Sequence, residues 1–493
     1  MMGKSSMTFN ARFAAALILA ASVAMLMSCG GSTDVQVMSN PPTGSVRVTV
    51  SDPPKCRFPA GDYKNVYVSI RSVQAHVSST ATDSSSGWKE LAPGLAQAPI
   101  QVDLLALPSN GCTLATLGAN PSLPVGDYQQ IRLILVSNNP GANDPKPASN
   151  ACGNNNGYNC VVLSDNSIHQ LDLSSQANTG LKIPPGQVVG GPIRVAEGSN
   201  IDLNIDFNTC ASIVPLPNNR FRLRPTLTAG QVSTTASSAL SGQIVDNATM
   251  MPITGGQTLV AIEQADSTGV DRIVMEAATD ANGNFSICPA PMGMFDVVAV
   301  ATDGSNKSYG PTVVLNVSSG ANLGKIPLIA EANMTPLGPA TIGGTVTTAS
   351  GTPPTTTPFS ADVAMAALQT VTIPGGTTTR DVTIPLQGSS TMVIATASGM
   401  TCPTGTNCAD YTLIVPANNP SVGTFSSSGT TFSTPAAGDV LFKVEGRAFV
   451  PMTSTATCSP STMTTDKDSA DMPLKVTGGA TTTAKRLDFT GCM

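Results

Sequence analysis

The sequence predicts an all-β protein, built as tandem antiparallel β-sandwich modules after a cleaved lipoprotein signal peptide. Three observations predict it. Apolar and polar residues alternate over short stretches, as in Ile201-Asp202-Leu203-Asn204-Ile205-Asp206-Phe207, which is the period of a strand with one face in a core. Charged residues make up only 11% of the 493, against ~25% in an average domain, while 45 Gly and 38 Pro supply turns. The N-terminus reads as an export leader. At ~100–200 residues per domain the chain is too long for a single core.

Residues 1–12 carry Lys4 and Arg12 without an acid, and residues 13–27 form an apolar run. That run is short for a membrane span, which needs ~20 residues, but fits the hydrophobic part of a signal peptide. Leu26-Met27-Ser28-Cys29-Gly30 resembles the bacterial lipobox. The resemblance implies a signal peptide over 1–28, lipidation at Cys29 and a tether over 29–43. Gly rather than Asp at position 30 implies sorting to an outer membrane.

The first module is expected over 44–229. Val46, Val48 and Val50 share one strand face, as do Val66, Val68 and Ile70, and Ile131, Leu133 and Leu135. Phe221 and Leu223, with Arg222 and Arg224 pointing outward, suggest a neighbour for strand 201–207. Asp202 and Asp206 would then face those arginines, each contact contributing ~0.2–1 kcal/mol. Asp202, Asn204 and Asp206 read as a solvated strand face, because side chains at i and i+2 stand roughly 6.5–7 Å apart, too far to share a calcium ion. Asp103 reads as a turn or strand-end carboxylate. The stretches Val48-Thr-Val-Ser-Asp-Pro-Pro, Tyr67-Val-Ser-Ile-Arg-Ser-Val, Gly87-Trp-Lys-Glu-Leu, Leu123-Pro-Val-Gly-Asp-Tyr and Phe221-Arg-Leu-Arg-Pro occur in that order. The set resembles the bacterial family called domain of unknown function 4382. The resemblance implies an exported β-rich domain, often on lipoproteins, and brings no activity or site residues.

The second module is expected over 238–332, after a Ser/Thr/Ala linker. Leu240-Ser-Gly-Gln-Ile-Val-Asp, Thr279-Asp-Ala-Asn-Gly-Asn-Phe-Ser-Ile and Gly293-Met-Phe-Asp-Val-Val-Ala-Val-Ala resemble carboxypeptidase regulatory-like domains. These are transthyretin-like sandwiches of the carbohydrate-binding-like fold, and some relatives bind starch-like glycans. Glycan platforms use exposed aromatic rings, yet Phe285 and Phe295 read as core, which leaves Tyr309. Asn282-Gly283 supplies the positive φ of a tight hairpin, and turn chemistry explains Asp280, Asn282 and Asn284 without an ion.

The third module, 335–493, is expected to be another sandwich, immunoglobulin-like in form, with strand-like runs at Val382–Leu386, Met392–Thr396, Tyr411–Val415 and Val440–Val444. The Thr/Pro-rich stretch 347–358 reads as a low-complexity extended loop. Asp466 to Asp471 reads as a solvated turn, since it lacks the Gly and Glu of a calcium loop.

The chain has 11 cysteines and two histidines and no Cys-x-x-Cys pair, which argues against zinc and thioredoxin-like sites. Without Cys29 the number is even, as disulfides in an oxidising compartment require. Cys152 with Cys160, Cys402 with Cys408 and Cys458 with Cys492 are the expected pairs. Cys56, Cys112, Cys210 and Cys288 stay unassigned.

A formal net charge of −6 and no basic stripe exclude nucleic acid as a partner. No nucleophile elbow, zincin helix, phosphate loop or dinucleotide fingerprint is present, and His169 near a strand start reads as a surface residue. No catalytic residue, metal or cofactor is expected. With one Trp, Trp88, and six Tyr, the sequence predicts a non-catalytic cell-envelope lipoprotein that displays its modules for adhesion, scaffolding or binding. It would be anchored by lipid to a membrane, with the outer membrane as the expected one. The alternative is carbohydrate binding through 238–332, so glycans and envelope proteins are the partners to weigh.

Overall fold

The computed structural model describes residues 41–492 apart from 52–62, 80, 83, 107–114, 119–120, 174–179, 184–187, 190, 217, 224–225, 234–238, 267, 289, 292, 332–337, 387–391, 396–400 and 450–457. The expected leader and Cys29 lie outside the described residues. What is described is almost entirely strand, with short helical turns such as Thr209–Ser212.

Residues 43–233 form two facing sheets. In one, Thr43–Ser51 lies between Asn200–Asn208 and Ala115–Gly118, and Thr226–Ser233 pairs the far side of 200–208. In the other, Tyr63–His76 lies between Gln130–Leu135 and Cys160–Leu163, and the sheet continues through Ile168–Asp172 to Arg220–Leu223. Val48, Leu203, Ile205 and Phe207 from the first meet Val68, Leu133, Phe221 and Leu223 from the second in one core. Strands 43–51 and 200–208 run parallel, with Val46 opposite Ile201 and Ser51 opposite Asp206.

That register corrects one expectation. Strand 220–223 does not neighbour 200–208; it pairs Ile213–Leu216 and residues 171–172 in the opposite sheet. The chain changes layer between Leu223 and Thr226, so the apolar faces of the two strands meet across the core and Arg222 points away from Asp202. Asp202 instead accepts a hydrogen bond from Arg47 Nε at 2.7 Å on the adjacent parallel strand. Arg224 lies outside the described residues.

Residues 240–492 are arranged in three layers. Leu240–Asp246, Asn284–Ile287 and Asn322–Leu328 form a small outer sheet. Ala340–Ser350, Asn407–Val415, Thr481–Thr483 and Leu487–Phe489 form the other outer sheet. Between them runs a sheet of ten strands among the described residues. Its order is Ser421–Thr424, Ser308–Ser318, Met294–Thr302, Gln257–Ala265, Val270–Ala278, Thr379–Thr383, Ala361–Thr372, Lys443–Phe449 and Thr462–Thr465, with Met392–Ala395 also on 361–372.

Alternate residues of the middle strands enter different cores. Val260, Ile262, Val297, Ala299 and Val314 pack with Leu240, Ile244, Phe285 and Ile326. Leu259, Val298, Val300, Val313 and Leu315 pack with Ile342, Tyr411, Leu413 and Phe489. A strand covered on both faces has no polar register to keep, so Phe295–Ala301 is buried without interruption.

Hydrogen bonds cross both places where composition divides the chain. Val232 and Ser233 pair with Pro291 and Ala290, and Thr228 Oγ1 donates to the Val274 carbonyl at 3.0 Å. Strand 270–278 pairs with 379–383 in parallel at two positions, and strand 308–318 with 421–424 at four. The Thr/Pro-rich stretch also differs from the expected loop. Thr347–Ser350 completes strand 340–350, and Thr357 and Pro358 return against it as a hairpin. The β-branched threonines suit a strand, and the buried hydroxyls are satisfied: Thr347 donates to Asp488 at 2.7 Å and Thr348 to the Phe359 carbonyl.

Candidate functional site

The densest chemistry in the described residues is a buried carboxylate cluster in the middle sheet. Strand 257–265 delivers Glu263, strand 270–278 delivers Asp271, and strand 294–302 delivers Asp296; they are 0%, 1% and 3% exposed. Pairing puts Glu263 directly opposite Asp296 and Asp271 opposite Ala265. Three acids so buried side by side repel one another and lose hydration.

Strand 379–383 supplies the counterweight. Arg380 Nη1 donates to Asp296 and, at 3.4 Å, to Asp271. The Thr383 amide donates to Glu263 Oε2 at 3.1 Å, and its hydroxyl to the Asp271 carbonyl at 2.7 Å. Asn316 N–H donates to Asp296 Oδ1 at 2.8 Å. Glu263 Oε1 is buried without a hydrogen-bond partner. Burial, and then the neighbouring Asp271, push the Glu263 carboxyl well above the usual range. Burial and the adjoining Asp296 push Asp271 up to about 7 against the opposing pull of Arg380. Both shifts favour the neutral carboxyl over the carboxylate.

A second network lies along the same joint. Arg272 donates to both carboxylate oxygens of Glu445, at 2.6 and 2.9 Å, and through Nε to Asp266 at 2.9 Å. Arg447 donates to Glu445 at 3.0 Å and to Asp266 at 3.3 Å. Burial alone would raise Asp266, but hydrogen bonds from Thr268 and Arg272 hold it far below the usual carboxylate range. Lys443 caps the joint by pairing with Asp381 at 2.7 Å. Chemically, the arrangement ties strands 257–302 to strands 379–449 through charge. Among the described residues, no group of His, Cys, Asp and Glu has the geometry to hold a metal.

The residues singled out from sequence fall elsewhere. Disulfides join Cys152 to Cys160, Cys402 to Cys408 and Cys458 to Cys492. Cys288 is disulfide-bonded as well, which the sequence did not resolve. Asp206 and Asn204 correct the expected solvated face: they are 7% and 2% exposed. The Ser51 hydroxyl donates to Asp206 at 2.7 Å and accepts from Asn204 Nδ2 at 2.7 Å. Burial pushes Asp206 up to about 7, although the Ser51 bond opposes the shift.

Asp103 ends strand Ile100–Asp103 and accepts from Asn65 Nδ2 and the Val66 amide. Asp280 accepts from the amides of Asn282 and Asn284 at 2.8 Å, closing a turn in which Gly283 has a φ of 75°. Asp468 does the same for Ala470 and Met472. His169 is half-buried against Phe221, with Nε2 3.0 Å from the Ser167 hydroxyl. His76 closes strand 63–76 and is buried; its Nδ1 accepts from the Ser78 amide at 2.9 Å, so Nε2 carries the proton and donates to the Ser86 carbonyl. Trp88 lies beside His76 and under the Arg132 guanidinium, 4.1 Å from the ring centroid. Phe285, Phe295 and Tyr309 are buried.

Sequence reasoning missed the carboxylate cluster. The available signal was a lone acid within an apolar run, as in Val260-Ala261-Ile262-Glu263 and Phe295-Asp296-Val297-Val298.

Fold and cluster together define a layered, multi-sheet β protein whose buried charges join strands. Residues 43–225 match the family model described as Domain of unknown function (DUF4382). No curated protein matches the sequence. Among solved structures the chain is similar to GBS52, the minor pilin of Streptococcus agalactiae, at 11% identity and TM-score 0.15, over 51% of this chain and 95% of that one. It is also similar to the shaft pilin SpaA of Lactobacillus rhamnosus GG, at 9% identity and TM-score 0.17, over 60% of this chain and 100% of that one. A streptococcal ancillary pilin aligns over 80% of this chain and 96% of its own, at 9% identity and TM-score 0.14.

Proposed function

We propose that the chain is a non-catalytic lipoprotein of the cell envelope, anchored through Cys29, that presents its fused β-layers as a scaffold for adhesion to other envelope proteins. The observation that carries the reading is continuity. Strand pairs join 226–233 to 290–291, 270–278 to 379–383 and 308–318 to 421–424, so a load applied at one end passes through hydrogen-bonded sheet rather than loose linkers. The lipobox-like Leu26-Met27-Ser28-Cys29-Gly30 supplies the anchor in this reading and an outer-membrane address.

Proteins are favoured over glycans as partners because the aromatic rings whose burial is described are all buried or half-buried. Sugar faces need flat, accessible rings. Trp88 is engaged by Arg132 and His76, and its Nε1 donates to the Thr82 carbonyl at 2.9 Å.

Fractionation of cells expressing the wild type and Cys29→Ser tests the anchor. The wild type is expected in the detergent phase with the outer membrane and the variant in the soluble fraction. A variant that stays membrane-bound, beside a wild type that carries no lipid, contradicts the reading. A glycan array probed with soluble residues 30–493 tests the partner: micromolar binding that survives in 238–332 alone would replace the scaffold with a carbohydrate-binding lipoprotein.

A further inference from the structure

The joint between strands 270–278 and 379–383 is narrow. Only Val270 with Asp381 and Asp271 with Val382 are in register, so side chains rather than the backbone ladder decide how firmly it closes. Among the described residues the ionisable groups facing the cluster can be named strand by strand. Strand 257–265 brings Glu263, strand 270–278 brings Asp271 and, at longer range, Glu276, strand 294–302 brings Asp296, and strand 379–383 brings Arg380. Strand 308–318, packed beyond 294–302, contributes the Asn316 amide. On the neighbouring rung Asp381 is paired with Lys443, and Asp266 and Glu445 are paired with Arg272 and Arg447. Among the described residues Arg380 is the cation in direct contact with two of these buried acids, Asp296 and Asp271. It balances one carboxylate, and the rest must hold protons or repel.

We propose that this joint is a pH-sensitive latch: Asp271 and Asp296, clamped together by Arg380, hold strand 379–383 on strand 270–278, and loss of the Asp271 proton lets the two strands part locally. The rest of the three-layer body stays closed, because strands 308–318 and 421–424 join the same halves through four register pairs and a common apolar core.

The direction follows from linkage. Asp271 is pushed up to about 7 in the closed joint, against an ordinary 3.8. A raised value favours the closed state fully below the ordinary value, and the advantage is lost as pH rises to the raised one. Glu263 is shifted the same way. Opening therefore increases across the interval from about 4 to about 7, at up to about tenfold for each pH unit. The latch is independent of the proposed anchoring and adhesion, since it follows from the joint alone.

Hydrogen exchange read by mass spectrometry on the full chain at pH 4.5, 6.0 and 7.5, corrected for intrinsic exchange, tests it. Protection of peptides covering 379–383 is expected to fall at least about tenfold from the lowest to the highest pH, with strand 340–350 unchanged. Asp271→Asn is expected to flatten that profile. Should Asp271→Asn fail to fold, Asp296→Asn removes the other half of the pair and is expected to flatten it equally. Protection of 379–383 that does not change with pH in the wild type, or a variant that keeps the full wild-type fall, overturns the proposal.

Discussion

Strands 200–208 and 294–302 both bury an acid, and they do so by different means. In 200–208 the apolar residues Ile201, Leu203, Ile205 and Phe207 take one face, and the other is polar, with Asp206, Asn204, Ser51 and Thr49 satisfying one another by hydrogen bonds. In 294–302 both faces are apolar, so Asp296 is held by Arg380 and an amide from neighbouring strands. A sheet with one core can settle a buried carboxyl with neutral neighbours on the adjacent strand. A sheet with two cores needs a cation brought in along the sheet, and that requirement ties distant segments together.

The comparison can be broken at several points. Val298→Asp would put an unpaired charge between the two C-terminal cores, where Val298 is 0% exposed. It is expected to cost more than about 4 kcal/mol and to abolish the calorimetric transition of residues 240–492 while that of 43–233 persists. Removing Cys458 and Cys492 together, which opens a loop of sequence separation 34, is expected to cost about 3–4 kcal/mol in urea unfolding. Removing Cys402 and Cys408, with separation 6, should cost less, about 2 kcal/mol.

Arg380→Leu leaves buried acids without their cation and is expected to cost about 2–3 kcal/mol at pH 7.5. The loss should shrink at pH 5, below the raised value of Asp271; an equal loss at both pH values would mean that Arg380 acts by packing. Asp206→Asn sharpens the other side of the comparison. Asp206 is raised to about 7, so the wild type should lose stability in the first region from about pH 4 to pH 7. The variant should lack that slope and be more stable by about 1–2 kcal/mol at pH 7.5. Lys485→Ala removes an ion pair with Asp471 in which both side chains are more than half exposed; the shift should stay within about 0.5 kcal/mol.

The one-core region was the more legible in sequence. Alternation in 201–207 marks a half-buried strand directly, because its period is tied to which face meets the core. Yet the same pattern misplaced Arg222, since nothing in residues 221–226 records that the chain crosses from one sheet to the other there. The continuous apolar run 297–301 gave a strand but not the number of layers over it, because two cores and one deep core leave the same string of residues. Short Gly/Asn loops exposed the Cys152–Cys160 and Cys402–Cys408 pairs, whereas no local pattern marks the bonded state of Cys288. The acid cluster was illegible for that reason too: Glu263, Asp271, Asp296 and Arg380 sit on four strands and meet only through sheet register.

The central claim is that residues 240–492 share one middle sheet and behave as one body. A protease site inserted between Glu331 and Gly338, cut after folding, tests it most directly by size exclusion and calorimetry. The nicked halves are expected to co-elute and to melt in one transition. Separation into two fragments with independent transitions would contradict the shared sheet.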